Sequence, residues 1–183
     1  MMNGLRGLIT GVLLVSSAAI AQQPSLQLKT IPDSINFIWK NIEQDFASLA
    51  EAMPEGKWSF KSTHGEFKDV RTFGEQVKHV VCANEAWAKQ MSGEKPPSGC
   101  DNGGPNPAKT KTEILAYLRN SFTMIDKVIA ETSAEFIASE RRTVLGSNRL
   151  SALTATVWHI SDHYGQLVEY LRMNGIVPPA RRK

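Results

Sequence analysis

Two histidines near the carboxyl end of the chain have the spacing of a metal-binding pair. His159 and His163 are four residues apart, in a segment whose apolar residues repeat with helical periodicity. Their side chains should therefore share one helix face, with Cβ atoms about 5–6 Å apart. Two imidazoles in this arrangement can bind one metal ion. No Glu follows His159, so the His-Glu-x-x-His signature of zinc proteases is absent, and two chance histidines on a helix are the simpler interpretation.

A third histidine makes the metal interpretation stronger. His79 lies in the middle of an earlier helical segment, with the small residues Ala83 and Ala86 on the same arc. Small side chains leave room for an ion between helices, although a hydrogen-bonded core histidine would fit the same pattern. His64 lies in a connecting segment beside a glycine, and we expect it at the surface.

Four helical segments must position these histidines. They span about residues 33–53, 73–91, 111–130 and 148–174, and their apolar residues recur at spacings of three and four, as one buried helix face requires. Four amphipathic helices of this length predict an all-α fold, an antiparallel four-helix bundle over residues 33–177. The long connections allow a helix order other than simple up-and-down.

Local signals mark where these helices begin. Thr72 with Glu75 and Thr110 with Glu113 have the spacing of capping boxes, which start the second and third helices. Asp33 is the expected N-cap of the first helix. These positions predict the helix starts before any tertiary contact is considered.

The apolar stripes also predict which large side chains are buried. On the first helix the stripe includes Ile38 and Trp39, and on the second it includes Trp87. Trp158 lies off the stripe of the fourth helix, so we expect it to face a neighbouring helix, a partner subunit or a pocket.

Residues 1–21 have the form of a secretory signal peptide. An uncharged apolar run follows Arg6 and ends in the small-x-small pattern Ala19-Ile20-Ala21. The run is too short to span a bilayer comfortably, although an uncleaved anchor is the alternative. Cleavage would leave a flexible leader over 22–32, the bundle and a basic tail over 178–183. The expected location is periplasmic or secreted, with no stable membrane span after cleavage.

Composition and charge exclude several classes of protein. The chain has 183 residues, of which 42% are hydrophobic, and a formal net charge of +3. These values exclude disordered, collagen-like and cysteine-framework proteins. Arg6 belongs to the signal peptide, and three further basic residues lie at 181–183, so the body of the domain is close to neutral. A nucleic-acid-binding domain would carry a basic face, and we therefore predict no nucleic-acid partner.

The two cysteines leave three alternatives open. Cys82 and Cys100 could form a disulfide between the second helix and the following loop, as an oxidising compartment would favour. Cys82 could instead be a buried free thiol, with Cys100 exposed. Because Cys82 follows His79 by three residues, its sulfur could also be a metal ligand.

The last helix resembles that of the DinB superfamily. The residues that carry the resemblance are His159-Ile-Ser-Asp-His163-Tyr-Gly-Gln166, followed by LVEYLRMNGIVPP, and the segment RTFGEQVKHVVCANEAW is similar to the family's second helix. The resemblance implies an antiparallel four-helix bundle whose helices present three histidines, here His79, His159 and His163, to a divalent metal ion such as zinc or nickel. It also implies pairing into a homodimer, for which the sequence offers no interface.

The resemblance suggests a function as well. Three histidine ligands leave coordination positions open, as catalytic metal ions require, and relatives include thiol-dependent transferases. We therefore expect a metal-dependent hydrolase or transferase that acts on a small molecule. The competing hypothesis is a non-catalytic metal- or ligand-binding stress protein, because no acid or base falls on the histidine face. Asp162 and Glu85 both lie off that arc, and Gln166 is either an outer partner of a ligand or a structural residue.

Overall fold

The computed structural model describes residues 30–62, 69–133, 137 and 148–179. Within these residues the chain forms four α-helices: α1 (Ile31–Ala52), α2 (Phe73–Ser92), α3 (Lys111–Ala130) and α4 (Arg149–Met173). Short 3₁₀ turns at Glu55–Lys57 and Cys100–Asn102 interrupt two of the connections. The all-α four-helix prediction is confirmed. His64, the signal peptide, most of the leader and the charged residues of the tail lie outside the described residues.

Capping explains where the helices begin. Both predicted capping boxes are present, with Thr72 accepting from the Glu75 amide and Thr110 from the Glu113 amide. The prediction that Asp33 is the N-cap of α1 is wrong. The N-cap is Thr30, and Asp33 is the third helical residue of a further capping box. The helix starts earlier than expected because a proline is tolerated in the first turn, where its missing amide hydrogen has no helical partner.

The direction in which each helix runs follows from contacts at the two ends of the bundle. At one end, Lys111 at the start of α3 donates to the Met53 carbonyl after α1, and Tyr170 near the end of α4 donates to the Arg71 carbonyl before α2. At the other end, Arg149 at the start of α4 donates to the Met91 carbonyl near the end of α2. Helices α2 and α3 therefore run in the same direction, and α4 runs antiparallel to α2. The long 93–110 connection makes this order feasible because it returns along the bundle.

The core fills the space between all four helices, as the apolar stripes predict for most positions. Trp39 is completely buried, whereas Ile38, assigned to the same stripe, is 51% exposed. A stripe drawn from sequence is wider than the contact that α1 makes, and Ile38 lies at its outer edge. The largest fully buried side chains are Trp39, Phe46, Phe73, Leu49, Met53, Met91, Leu118, Ile125, Leu153, Ile160, Leu167 and Leu171.

The α1–α2 connection closes one end of the bundle. Phe73 and Gly74 donate backbone hydrogen bonds to the carbonyls of Phe60 and Trp58. A Cβ atom at Gly74 would lie 3.1 Å from the Trp58 ring, so a glycine allows the indole to lie directly on the start of α2. None of the helices in the described residues has both the length and the apolar content needed to cross a membrane.

Candidate metal centre

The three predicted histidines meet where α2 packs against α4. His79 projects from the middle of α2, and His159 and His163 project from successive turns of α4. The Nε2 atom of His159 lies 3.2 Å from that of His79 and 3.1 Å from that of His163. One ligand atom from each residue falls within 4.8 Å of the others. The antiparallel contact thus brings together residues that are 80 positions apart in sequence.

These distances suit a shared metal ion. Two imidazole nitrogens bound to one ion at about 2.0–2.1 Å, with bond angles between octahedral and tetrahedral values, lie about 2.9–3.4 Å apart. Both Nε2–Nε2 distances to His159 fall within this interval. The cluster is therefore compatible with a metal ion held by the Nε2 atoms, and imidazole ligands suit zinc, nickel, copper or iron.

A loop carbonyl orients His79. Its Nδ1 atom lies 2.8 Å from the backbone oxygen of Cys100. A carbonyl only accepts, so Nδ1 carries the proton and Nε2 keeps its lone pair. This is the usual arrangement of a metal-binding histidine, whose second nitrogen is fixed by an outer hydrogen bond.

Gln166, oriented by Asp162, favours the same tautomer of His163. The Gln166 Oε1 atom lies 3.1 Å from His163 Nδ1 and accepts from Gln76 Nε2 at 2.6 Å. Gln166 in turn donates to the Asp162 carboxylate at 2.8 Å. Gln76 Nε2, which is a donor, also lies against His163 Nδ1, and that contact alone would favour the opposite tautomer. The Asp162 carboxylate fixes the orientation of the Gln166 amide, so its carbonyl oxygen faces the histidine. With Nδ1 protonated toward Gln166, the Nε2 atom of His163 keeps its lone pair for a ligand bond.

His159 is held by packing instead. The Trp87 ring meets it edge-on, with ring centroids 4.9 Å apart. Its Nδ1 atom is buried and has no hydrogen-bond partner among the described residues. Trp87 is half-buried and packs against the core, as its position on the α2 stripe predicts, and its ring also forms a wall of the histidine cluster.

The electrostatic surroundings keep the cluster neutral. Burial lowers the pKa of His159 to about 3, and repulsion from protonated His163 and His79 and from Arg71 adds to the effect. Burial is also the largest cause of the lowered pKa values of His79 and His163. Neutral imidazoles are the form that binds metals, so these surroundings prepare the ligands.

The structure also decides the cysteine alternatives. Cys82 and Cys100 form a disulfide, which excludes both a free thiol and a sulfur ligand in this state. Glu85 takes no part in the cluster, since its carboxylate accepts from Tyr117 and pairs with Lys89. Gln166 contacts a histidine directly, which supports its interpretation as an outer partner.

Two contributors were missed in the sequence. Gln76 precedes His79 by three residues and so shares its face, a spacing that could have been noticed. The Cys100 carbonyl had no comparable signal, because any residue type carries a backbone oxygen and only the loop path decides which one faces His79.

Residues 39–167 match the sequence model of the DinB superfamily. The match covers well over half of the chain and includes α2, α3 and both α4 histidines. The chain belongs to the DinB superfamily. The comparison with curated proteins returns no match. Membership agrees with the four-helix architecture and with a histidine cluster that is compatible with a metal ion.

Proposed function

We propose that this DinB-family chain binds one divalent metal ion through His79, His159 and His163 and uses it to act on a small molecule, as a hydrolase or transferase. The observation that carries the proposal is the convergence of three Nε2 atoms at 3.1 and 3.2 Å. Among the described residues three protein ligands converge there, which would leave coordination positions for a substrate.

The surroundings of the cluster support a reactive ion over a structural one. Structural zinc sites close with four protein ligands, often cysteines, and here both cysteines are oxidised to a disulfide. A bound divalent ion would supply Lewis-acid chemistry. The chain's own residues hold the Nδ1 protons in place through Cys100 and Gln166, and Trp87 shields one side of His159 from water.

A second candidate function is metal or ligand binding without catalysis. The carboxylate nearest to the cluster in the hydrogen-bond network, that of Asp162, reaches His163 only through Gln166. This separation favours a binding protein, because general acid–base catalysis needs a group within hydrogen-bond reach of the substrate.

Activity assays on metal-loaded protein without a histidine tag would separate the two functions. We would compare the zinc and nickel forms with metal-free protein, using a panel of activated esters, phosphate esters and thiol-plus-electrophile pairs. Catalysis predicts metal-dependent turnover that His163→Ala abolishes and Thr154→Ala, an exposed change on the same helix, retains. Stoichiometric metal binding with no turnover above the metal-free rate on any substrate would favour the binding protein.

We also propose that the chain is exported and cleaved after Ala21. The apolar amino-terminal run and the small-x-small pattern support this, and a disulfide is typical of oxidising compartments. Mass spectrometry of the protein recovered from each compartment would test it. A mature chain that starts at Gln22 outside the cytoplasm is expected, and an intact chain retained in the cytoplasm would contradict export.

A further inference from the structure

The loop over residues 99–104, here called the 99–104 loop, lies directly on α2 beside His79. It contains the Cys100–Asn102 turn, flanked by glycines in the left-handed conformation at Gly99 and Gly103. Its own backbone hydrogen bonds, from Asn102 to the Gly99 carbonyl and from Gly103 to the Cys100 carbonyl, give it a defined shape. The loop therefore presents the Cys100 region to the helix as a folded unit.

The loop fits closely against α2. A Cβ atom at Gly104 would lie 2.3 Å from the Cys82 sulfur, and the backbone there has a φ of +70°. A Cβ atom at Gly103 would lie 3.0 Å from the Lys78 side chain. Only glycine meets both the conformational and the steric requirement at Gly104, so the loop backbone approaches the helix more closely than other residues would permit.

Two attachments hold the 99–104 loop in place beside His79. The Cys82–Cys100 disulfide is covalent, and Cys82 lies one turn beyond His79 on α2. On the other side, Arg71 Nε donates to the Asp101 carbonyl at 3.0 Å. The backbone around the Cys100 carbonyl is thus held by the disulfide at Cys100 and by the Arg71 hydrogen bond at Asp101.

One residue carries both the covalent attachment and the ligand contact. Cys100 bonds to Cys82 through its side chain and accepts from His79 Nδ1 through its backbone oxygen at 2.8 Å. We propose that the Cys82–Cys100 disulfide is a positioning device for the metal ligand His79, and that it sets metal affinity by fixing the tautomer and orientation of that imidazole. This inference rests on the proposed metal site.

The proposal makes metal affinity depend on the redox state of the cysteines. Reduction by a water-soluble phosphine breaks the S–S bond and yields two thiols, while the phosphine takes an oxygen from water and becomes the phosphine oxide. The freed loop would then lose its covalent attachment to α2 and keep the hydrogen bond from Arg71. Losing the outer partner of a metal-binding histidine weakens metal affinity by about 10–100-fold, and we expect a change of this size.

The test compares zinc affinity in four proteins by competition with a chromophoric chelator. They are the wild type, Cys82→Ala/Cys100→Ala, wild type reduced by the phosphine, and Ile125→Ala, a core change on α3, the helix that carries none of the three histidines. The alanine pair keeps the Cys100 backbone oxygen but removes its attachment. The Ile125 variant shows how far reduced stability alone weakens zinc binding. If the alanine pair does not fold, the tautomer of His79 in the metal-free reduced wild type replaces it, because free thiols can themselves bind zinc.

A second readout follows the tautomer itself. Long-range ¹H–¹⁵N spectra of the metal-free protein should show His79 protonated at Nδ1 in the oxidised wild type and as a mixture of tautomers once the disulfide is absent. Weaker zinc binding in the disulfide-free forms, beyond that of Ile125→Ala and reversed on reoxidation, would support the proposal. Equal zinc affinity with and without the disulfide, or an unchanged tautomer, would overturn it. Failure of the wild type to bind any metal would overturn the proposed function as well.

Discussion

Two antiparallel helix contacts in this bundle use their buried surface differently. Between α1 and α3, Trp39 is completely buried and meets Phe122 edge-on, with ring centroids 5.7 Å apart. Its indole nitrogen donates to Asp126 at 2.9 Å, and Lys40 pairs with the same carboxylate at 2.7 Å. This contact combines a large apolar surface with a satisfied polar group, which is the usual way of stabilising a core.

Between α2 and α4 the same kind of contact carries polar side chains. His79, His163 and Gln76 are all buried there, and His163 and Gln76 are linked to Gln166 by hydrogen bonds. Burying polar groups costs stability unless they are paired, and the Nδ1 atom of His159 lacks a partner among the described residues. The two antiparallel contacts thus differ in what they bury. The α1–α3 contact buries apolar surface that stabilises the bundle, whereas the α2–α4 contact buries the polar side chains of the histidine cluster.

The largest effect should come from the α1–α3 contact. Trp39→Ala removes a fully buried indole and should lower the free energy of unfolding by about 3–5 kcal/mol, while zinc stoichiometry stays the same wherever the protein is folded. Urea titration measures the first and metal analysis the second. Trp158→Ala is the matched control, since this tryptophan is 68% exposed and its loss should change stability by no more than about 0.5 kcal/mol. A loss of zinc stoichiometry in folded Trp39→Ala would remove the distinction between the two contacts.

A change in the hydrogen-bond network between α2 and α4 should instead weaken zinc binding. Gln166→Ala removes the acceptor for His163 Nδ1 and the link to Asp162, so zinc affinity should fall by about 10–100-fold. Competition with a chelator measures this, and Thr154→Ala on the same helix is the control. If Gln166→Ala binds zinc as tightly as the control does, the network is structural only.

The smallest effect should come from an ion pair outside both contacts. Burial alone would raise the pKa of Glu85, but hydrogen bonds from Lys89 and Tyr117 outweigh it and the net pKa is lowered. The carboxylate therefore stabilises the folded state above its unfolded pKa, and this contribution is lost as the pH falls through the lower, folded value. Glu85→Gln should cost less than about 1 kcal/mol at pH 7, and the difference should be smaller at pH 4, below the ordinary pKa of 4.5, with zinc affinity at pH 7 unaffected.

Urea titrations of the wild type and Glu85→Gln at both pH values would show this. A difference that grows on acidification would mean that the sign of the pKa shift is wrong.

The helices could be predicted from sequence because their signals are local. Thr72 and Thr110 cap their helices through residues three positions away, and the spacing of His159 and His163 fixes a shared face once α4 is helical. Pairing with His79 depends on how two distant helices align, which no local signal specifies; the family resemblance supplied it. The Cys100 carbonyl depends on the path of a loop.

One wrong prediction and one unforeseen contact have similar causes. Asp is a residue type that is common at N-caps, but the N-cap of α1 is Thr30, three residues before Asp33. Trp87 packs against the core, as its helix stripe predicts, but its contact with His159 depends on the tertiary contact of α2 with α4. Local chemistry therefore limits the choices, and the packing of distant segments decides among them.

The most direct test is the metal content of the protein, produced without a histidine tag and dialysed against zinc or nickel. The account predicts one ion per chain in the wild type and in Thr154→Ala, and none in His163→Ala or in the triple alanine variant of His79, His159 and His163. Wild-type protein that retains no ion, or a folded triple variant that still retains one, would contradict the assignment of these three histidines as the metal centre.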